Sequence, residues 1–278
     1  PDGERQRFLL LGVLYAALLL PAIGISTAVI REKALASSQR PQGVSLRGIQ
    51  TVWANHPFRV LLTAYTIGAL GSQLPATLIL FYVDVVLGSR AGGLFLVLYL
   101  TVGFTFIPMW LMLARRFEKR NVWMAAMLIN TGSFAGVVFL GHGDVVLYGL
   151  LVLISGLGLG GTTVLPASME ADVIDWDEWE TGTRREGVFS GVWSISKKLA
   201  AAVGAGLGLA VLDAAGYLPG GPQPASAIWA LRLLYAGVPC ACSLVAIAVA
   251  SRYRLTREIH DDLRRRIEQR RQVEANGW

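Results

Sequence analysis

The sequence predicts an all-α membrane protein that crosses the bilayer several times, and three observations carry that prediction. Of 278 residues, 54% are hydrophobic and 16% charged, whereas soluble domains carry about 25% charged residues. Seven stretches are each long and apolar enough to span a hydrocarbon core, which needs ~20 residues of helix. The 25 Lys and Arg are shared unequally between the two sets of connections. Together these exclude an ordinary soluble domain, a disordered chain and a disulfide scaffold.

The seven stretches run over about 8–30, 60–84, 92–114, 122–141, 145–167, 188–212 and 228–251. Helices are expected because a helix satisfies its backbone groups internally in lipid. Pro21, Pro75, Pro108, Pro166 and Pro239 fall in or at the ends of these stretches and read as kinks. The first stretch is too long for a signal peptide and lacks a small-residue cleavage site. The connections 88–91 and 142–144 are very short, so their flanking helices are antiparallel neighbours.

Orientation follows from the basic residues. The segments before the first stretch and after every second one hold Arg5, Arg7, Arg90 and Arg232, 4 of the 25. The other set holds 21: five over 31–59, four over 115–120, four over 184–198 and eight in the tail. The amino end is therefore expected outside and the carboxyl end in the cytoplasm. The net charge of +6 reflects topology, with no nucleic-acid partner implied. The lipid bilayer is the expected partner, with the plasma membrane as location.

Most of the remaining chemistry is bland. Cys240 and Cys242 read as packing residues, and His56, His142 and His260 lie in separate connections, so no Cys/His group has metal-ligand spacing. Gly141-His142-Gly143-Asp144 resembles the GxGD string of intramembrane aspartyl proteases, but no second mid-helix aspartate accompanies it, and a Gly-rich turn is the better reading. No enzymatic activity is expected. In 31–58, Leu46, Ile49 and Trp53 have helical spacing, which suits a short interfacial helix or a solvated connector. Over 252–274, Leu255, Ile259, Leu263 and Ile267 recur every four residues among arginines. This is a basic amphipathic helix suited to the anionic inner leaflet, or a solvated tail.

Two features stand apart. The segment 170–186 holds seven of the 19 acids, Glu170, Asp172, Asp175, Asp177, Glu178, Glu180 and Glu186, with Arg184, Arg185, Trp176 and Trp179 among them. Asp172, Asp175 and Glu178 can share one helix face. The cluster reads either as a solvated loop or as an electrostatic latch paired with a basic connection such as 115–120, which includes Arg115 and Arg116. The second feature is Lys197-Lys198, about ten residues into the sixth stretch and so ~15 Å deep. A lysine there costs roughly 2.5–3.5 kcal/mol on insertion scales, so a polar cavity or a partner is expected beside it. Lys198 stacks with Gly191, Ser194, Ala201 and Ala202, and Lys197 with Trp193, Ala201 and Gly204. No stretch carries an Asp or Glu near its centre. Gln73, Asn130, Tyr65 and Tyr82 are polar candidates for helix–helix bonds or ligand contacts, and the Gly156–Gly161 run permits close helix approach.

These residues resemble a known family. The string Asp172-Val173-Ile174-Asp175-Trp176-Asp177-Glu178-Trp179-Glu180-Thr181-Gly182-Thr183-Arg184-Arg185-Glu186-Gly187, followed by Gly191-Val192-Trp193-Ser194 and Lys197-Lys198-Leu199, resembles the signature of the glycoside–pentoside–hexuronide:cation symporters, the melibiose-carrier-like branch of the major facilitator superfamily. Asn55-His56-Pro57-Phe58 is similar to the start of that family's helix seven, and Leu113-Ala114-Arg115-Arg116-Phe117-Glu118-Lys119-Arg120 to its loop between helices eight and nine. Departures occur at Trp176 and Trp179, more often Tyr, and at Glu118, where Gly is common.

The resemblance implies a major facilitator superfamily fold, with the seven stretches as helices six to twelve of a twelve-helix carrier. Residues 1–30 would be helix six, 31–58 the cytoplasmic loop between halves, 59–251 the carboxy-terminal six-helix bundle and 252–278 the cytoplasmic tail. It implies alternating-access symport of a sugar or related solute with Na⁺ or H⁺, with no cofactor beyond the coupling ion. Lys198 matches the family's helix-eleven lysine beside the substrate and cation site, with Ser194 and Trp193 near it. Asp172, Asp175, Glu178, Arg184, Glu186, Arg115 and Arg116 match its inner charged motif. The amino-terminal half, which in this family holds the acidic cation ligands, would be the partner of this chain. A carrier of a lipid, drug or other solute and a non-transporting fragment are the alternatives. A seven-helix receptor is disfavoured, because no external disulfide pair and no Asn-Pro-x-x-Tyr-like end exist here.

Overall fold

The structure, a computed structural model, describes residues 2–29 and 52–276. The chain divides into two units, Pro1–Gln42 and Gly43–Trp278. In the first unit, α1 (Asp2–Val29) is a single helix with Pro21 inside it. Thr27 donates to the carbonyls of Ile23 and Gly24 at 3.0 Å, so its hydroxyl adds no unpaired donor to an apolar helix. The interfacial helix expected near 46–53 falls almost wholly outside the described residues.

The second unit is built from α2 (His56–Val85), α3 (Gly92–Thr105), α4 (Ile107–Arg116), α5 (Lys119–Val137), α6 (Val145–Thr181), α7 (Glu186–Ala214), α8 (Ala225–Arg232), a π turn (Leu233–Gly237), α9 (Val238–Ala250) and α10 (Arg257–Asn276). Among the described residues, six helical spans are long and apolar enough to cross a membrane: 8–29, 56–85, 92–116, 145–181, 186–214 and 225–250. The third is α3 and α4 together, broken near Pro108. The last joins α8, the π turn and α9.

The fourth expected crossing, 122–141, differs. It forms α5, but this helix ends at Val137, four residues early, and is not among the six apolar spans. Asn130, Thr131 and Ser133 dilute its apolarity, and the bundle absorbs much of that polarity. The Asn130 amide donates to Ser155 O at 3.3 Å, Ser133 Oγ to Ile129 O at 3.0 Å, and Cys240 Sγ lies 3.4 Å from Thr131 O. A helix packed inside protein does not need the hydropathy of one bathed in lipid.

Local chemistry sets the ends. Asn55 Oδ1 accepts the Phe58 N–H at 3.0 Å, and Pro57 occupies the first turn of α2, which suits a residue without an N–H. Gly182 ends α6 in the left-handed region at φ 69°, a conformation that favours glycine. The Gly141–Asp144 string is a turn: Asp144 Oδ2 accepts the Gly141 N–H at 2.8 Å and is exposed.

Packing centres on α6. A Cβ at Gly160 would sit 2.6 Å from Gly103 O, and one at Gly158 2.7 Å from Ala126 O. These glycines let α3 and α5 approach α6 backbone to backbone. Trp110 fills the junction and donates to Leu157 O at 2.7 Å. Two buried clusters result. One includes Phe58, Trp123, Met169, Phe189 and Tyr253, and the other Leu78, Tyr82, Phe95, Tyr148 and Tyr235. α7 joins through one stripe, where Gly204 meets Leu70 O and Gln73, and Gly208 meets Leu74.

Gly160→Leu is expected to force α3 from α6 and to lower stability by about 1–3 kcal/mol or more. Gly206→Ala on α7, where a Cβ would meet open space, is expected to stabilise slightly. Thermal unfolding in detergent, read by near-UV circular dichroism, checks both.

Candidate functional site

The longest helix carries the acid cluster. At ~1.5 Å per residue, the 37 residues of α6 extend roughly 55 Å, well beyond a ~30 Å hydrocarbon core. Its last three turns place Asp172, Asp175, Asp177 and Glu178 together. Lys119 at the start of α5 binds Asp172 at 2.7 Å. Beyond the Gly182 turn, Arg184 reaches back to Asp175 at 3.3 Å and Glu178 at 2.9 Å, and forward to Glu186 at 3.1 Å. Burial opposes the charge on Arg184, yet the Glu178 and Glu186 carboxylates outweigh it and hold the guanidinium above its ordinary value. Arg185 grips Asp177 with two bonds, 2.8 and 2.5 Å, and Asp177 is 2% exposed. Glu170 accepts from Ser190 at 3.0 Å, a second tie between α6 and α7.

Arg115 and Arg116 sit elsewhere. Both are exposed in the last turn of α4, where cations suit the carbonyl end of a helix. Neither side chain forms an ion pair among the described residues. The cation from this connection that meets the acids is Lys119.

The tail helix takes part, and the sequence reading missed how. The side chains of Leu263 and Ile267 are buried and those of Ile259 exposed, so the lower half of the apolar stripe packs on protein. His260, on the same face, lies 3.2 Å from Asp175 and 3.5 Å from Asp172. Arg266 covers the Trp179 ring at 5.9 Å. The link preceding α10 is braced: Arg120 donates to Tyr253 O at 2.8 Å, and Arg257 to the carbonyls of Ala114 at 2.7 Å and Arg115 at 2.5 Å. Burial, then the Asp172 carboxylate, push the Tyr253 hydroxyl well above the usual tyrosine range. The signal available in the sequence was the register: positions 260, 263 and 267 lie on one helix face.

The second site is the open side of α7. This helix runs unbroken over Glu186–Ala214, so Lys198 lies near its middle. Lys197, Lys198 and Ser194 are exposed, and a Cβ at Gly187 or Gly191 would meet open space. Trp193 is turned the other way, 8% exposed and stacked on Tyr65 at 4.2 Å with 26° between rings. The described acids lie away from Lys198, in the 170–186 region and at helix ends. Lys198 and Ser194 therefore share a polar face of small residues, with Trp193 anchoring the opposite side.

Comparison with known proteins follows from this geometry. The family model for MFS/sugar transport proteins matches residues 1–257. An uncharacterized symporter of Synechocystis sp. is 29% identical, over 82% of this chain and 43% of the relative. A glucuronide carrier protein homolog of Escherichia coli is 25% identical, over 81% and 50%. An isoprimeverose transporter of Lactiplantibacillus pentosus is 29% identical, over 72% and 41%. The chain thus spans half or less of the length of these relatives.

The cluster's pairs differ in weight. Asp177→Asn leaves Arg185 buried and uncompensated, and is expected to cost about 3–5 kcal/mol. Arg184→Gln removes half-exposed pairs worth no more than ~1 kcal/mol each. Chemical unfolding of the two variants in mild detergent gives the comparison; equal losses would contradict the ranking.

Proposed function

This chain belongs to the family of MFS/sugar transport proteins, and on that premise we propose that it forms helices six to twelve of a twelve-helix secondary carrier that symports a sugar or glycoside with Na⁺ or H⁺. It is a multi-pass membrane protein. In this reading residues 1–30 are helix six, 31–58 the loop between halves, 59–251 the carboxy-terminal bundle and 252–278 the tail. The basic-residue asymmetry supports an outside amino end, a cytoplasmic tail and the plasma membrane as location.

The observation that carries the proposal is Lys198. A charged side chain exposed at mid-helix is costly against lipid and normally faces a water-filled path or a partner. Its face of Gly187, Gly191 and Ser194 is unoccupied within this unit. Carriers of this architecture hold substrate and coupling ion near the midplane between two halves. Lys198, with Ser194 on its face and Trp193 anchoring α7 from the opposite side, is this chain's contribution to such a site, and the amino-terminal half is the partner across it. The names of the glucuronide and isoprimeverose carriers support a sugar, and the symporter name supports coupling.

The charged cluster is the inner gate in this reading. Asp175, Glu178, Arg184 and Glu186 join α6 to α7 across the Gly182 turn, Asp172 ties α6 to Lys119 of α5 and His260 of the tail, and Arg115 and Arg116 lie near the tail link. Breaking and remaking such half-exposed pairs costs little, which suits an element that changes state each cycle.

Uptake of a labelled sugar panel into vesicles bearing the full-length carrier, with and without a Na⁺ or proton gradient, tests the reading. Gradient-driven uptake of at least one sugar is expected. Lys198→Ala is expected to abolish it while membrane insertion is retained; uptake at the wild-type rate would remove Lys198 from the site. Asp175→Asn is expected to shift the balance of inward- and outward-open states, read as changed labelling of an engineered external cysteine. Unchanged labelling would contradict the gate.

A further inference from the structure

The bundle is not filled. A cavity of ≈ 270 Å³ lies among α2, α3, α5, α6, the π turn and α9; no α7 residue lines it, though Gln73 in its wall also meets Gly204 of α7. Protein interiors normally close such spaces. Here the backbones around it are irregular: Pro75 and Pro239 line it, and the π turn Leu233–Gly237 delivers Tyr235 into its wall. Single π turns inside helices occur frequently at functional sites.

The lining has a defined chemistry. No charged side chain borders the cavity. Tyr148 and Tyr235 share a hydrogen bond of 2.6 Å, and Phe134 meets Tyr235 edge-on at 5.8 Å. Tyr99 reaches toward Asn130 and Ser155, and the Ser155 hydroxyl, wholly buried, makes no hydrogen bond of ordinary geometry. Ser72, Gln73, Ser133 and Ser243 add further polar groups, and the remaining wall is aliphatic or proline. The mouth lies where Ser72, Ala76 and Leu100 are exposed.

We propose that this cavity is a binding site for a neutral ring compound bearing one or two hydrogen-bonding groups, a phenol-like molecule. Size, charge and wall polarity each narrow the choice. A dry apolar cavity of ~150 Å³ accepts benzene, so this one has room for a substituted ring. The absence of lining charge excludes an ion, which would be left uncompensated. Several lining polar groups are already engaged, Ser72 with Ala69 O, Ser133 with Ile129 O and Tyr148 with Tyr235, so a free sugar would find few partners for its many hydroxyls. A lipid chain would cover Asn130 and Ser155 with hydrocarbon, leaving both without new partners. A ring with a hydroxyl stacks among Tyr148, Tyr235 and Phe134 and gives the amide and serine a partner. The site is distinct from the Lys198 face, on another helix, and does not depend on the transport reading.

The test uses the full-length protein in lipid nanodiscs with 4-fluorophenol as probe, followed by ¹⁹F NMR. A saturable bound population is expected. Ala76→Trp, at an exposed position beside the mouth, and Asn130→Leu, which removes the amide at similar volume, are each expected to weaken binding by ~10-fold or more. Leu128→Trp, exposed on α5 and away from the cavity, is expected to leave binding unchanged. Fluorobenzene, with the ring but no hydroxyl, is expected to bind more weakly than the phenol. Non-saturable signal, or equal binding by wild type and Ala76→Trp, would show partition into lipid and overturn the proposal. If Asn130→Leu does not fold, Ala76→Trp and fluorobenzene decide. No uptake is measured, so failure here leaves the transport reading untouched.

Discussion

A hydrocarbon layer of ~30 Å accepts neither unpaired backbone nor stray charge, and α6 is the element through which the bundle meets that constraint. At 37 residues it is too long to be contained in the layer. Its glycine-rich half lies where backbones touch, with Gly158 and Gly160 against the carbonyls of Ala126 and Gly103. Its acidic half protrudes. The same continuous helix therefore fixes the positions of α3 and α5 and also delivers four carboxylates to a place where cations can meet them. A break at Pro166 would decouple the two; the helix continues through it.

The protruding end is held together by interactions of very different worth. Arg185–Asp177 is nearly sealed from water and is structural. Arg184 divides itself among three carboxylates at half exposure, an arrangement that keeps the charge on Arg184 while binding no single partner tightly. His260 adds a contact from the tail to Asp175 and Asp172. The tail helix thus has two anchors, one made by Arg257 on the carbonyls of α4 and one made by His260 on the acids of α6.

Much of this was legible in the sequence. The helix stretches, the Gly141–Asp144 turn and the close-packing glycines follow from composition and local rules, and the structure has them. The α5 crossing was overextended because an apolar count cannot see that Asn130 and Ser133 find partners inside the bundle. The acid cluster was visible as a run of charge, but its partners were not: Lys119 and His260 lie 53 and 85 residues from the acids they bind, and pairing at that range is set by packing. The tail's stripe at Leu263 and Ile267 was read as suited to lipid, since periodicity shows that a face is apolar without showing what covers it. The cavity left no signal at all, because a void is a property of how six elements fail to meet.

The two polar features inside the spans then separate on physical grounds. Asn130 and Ser133 belong to a helix surrounded by others, so their polarity is absorbed locally. Lys198 has no such surroundings, because the buried positions of α7 are Val188, Phe189, Trp193, Ala200, Gly204, Gly208 and Leu212. A helix attached by one narrow stripe leaves most of its circumference to something else. Leu199, Val203 and Leu207 suit lipid; Gly187, Gly191, Ser194 and Lys198 do not. One helix thus presents two incompatible faces, and a lipid environment can satisfy only the first. The second requires protein or water, and that requirement makes α7 the seam of this unit.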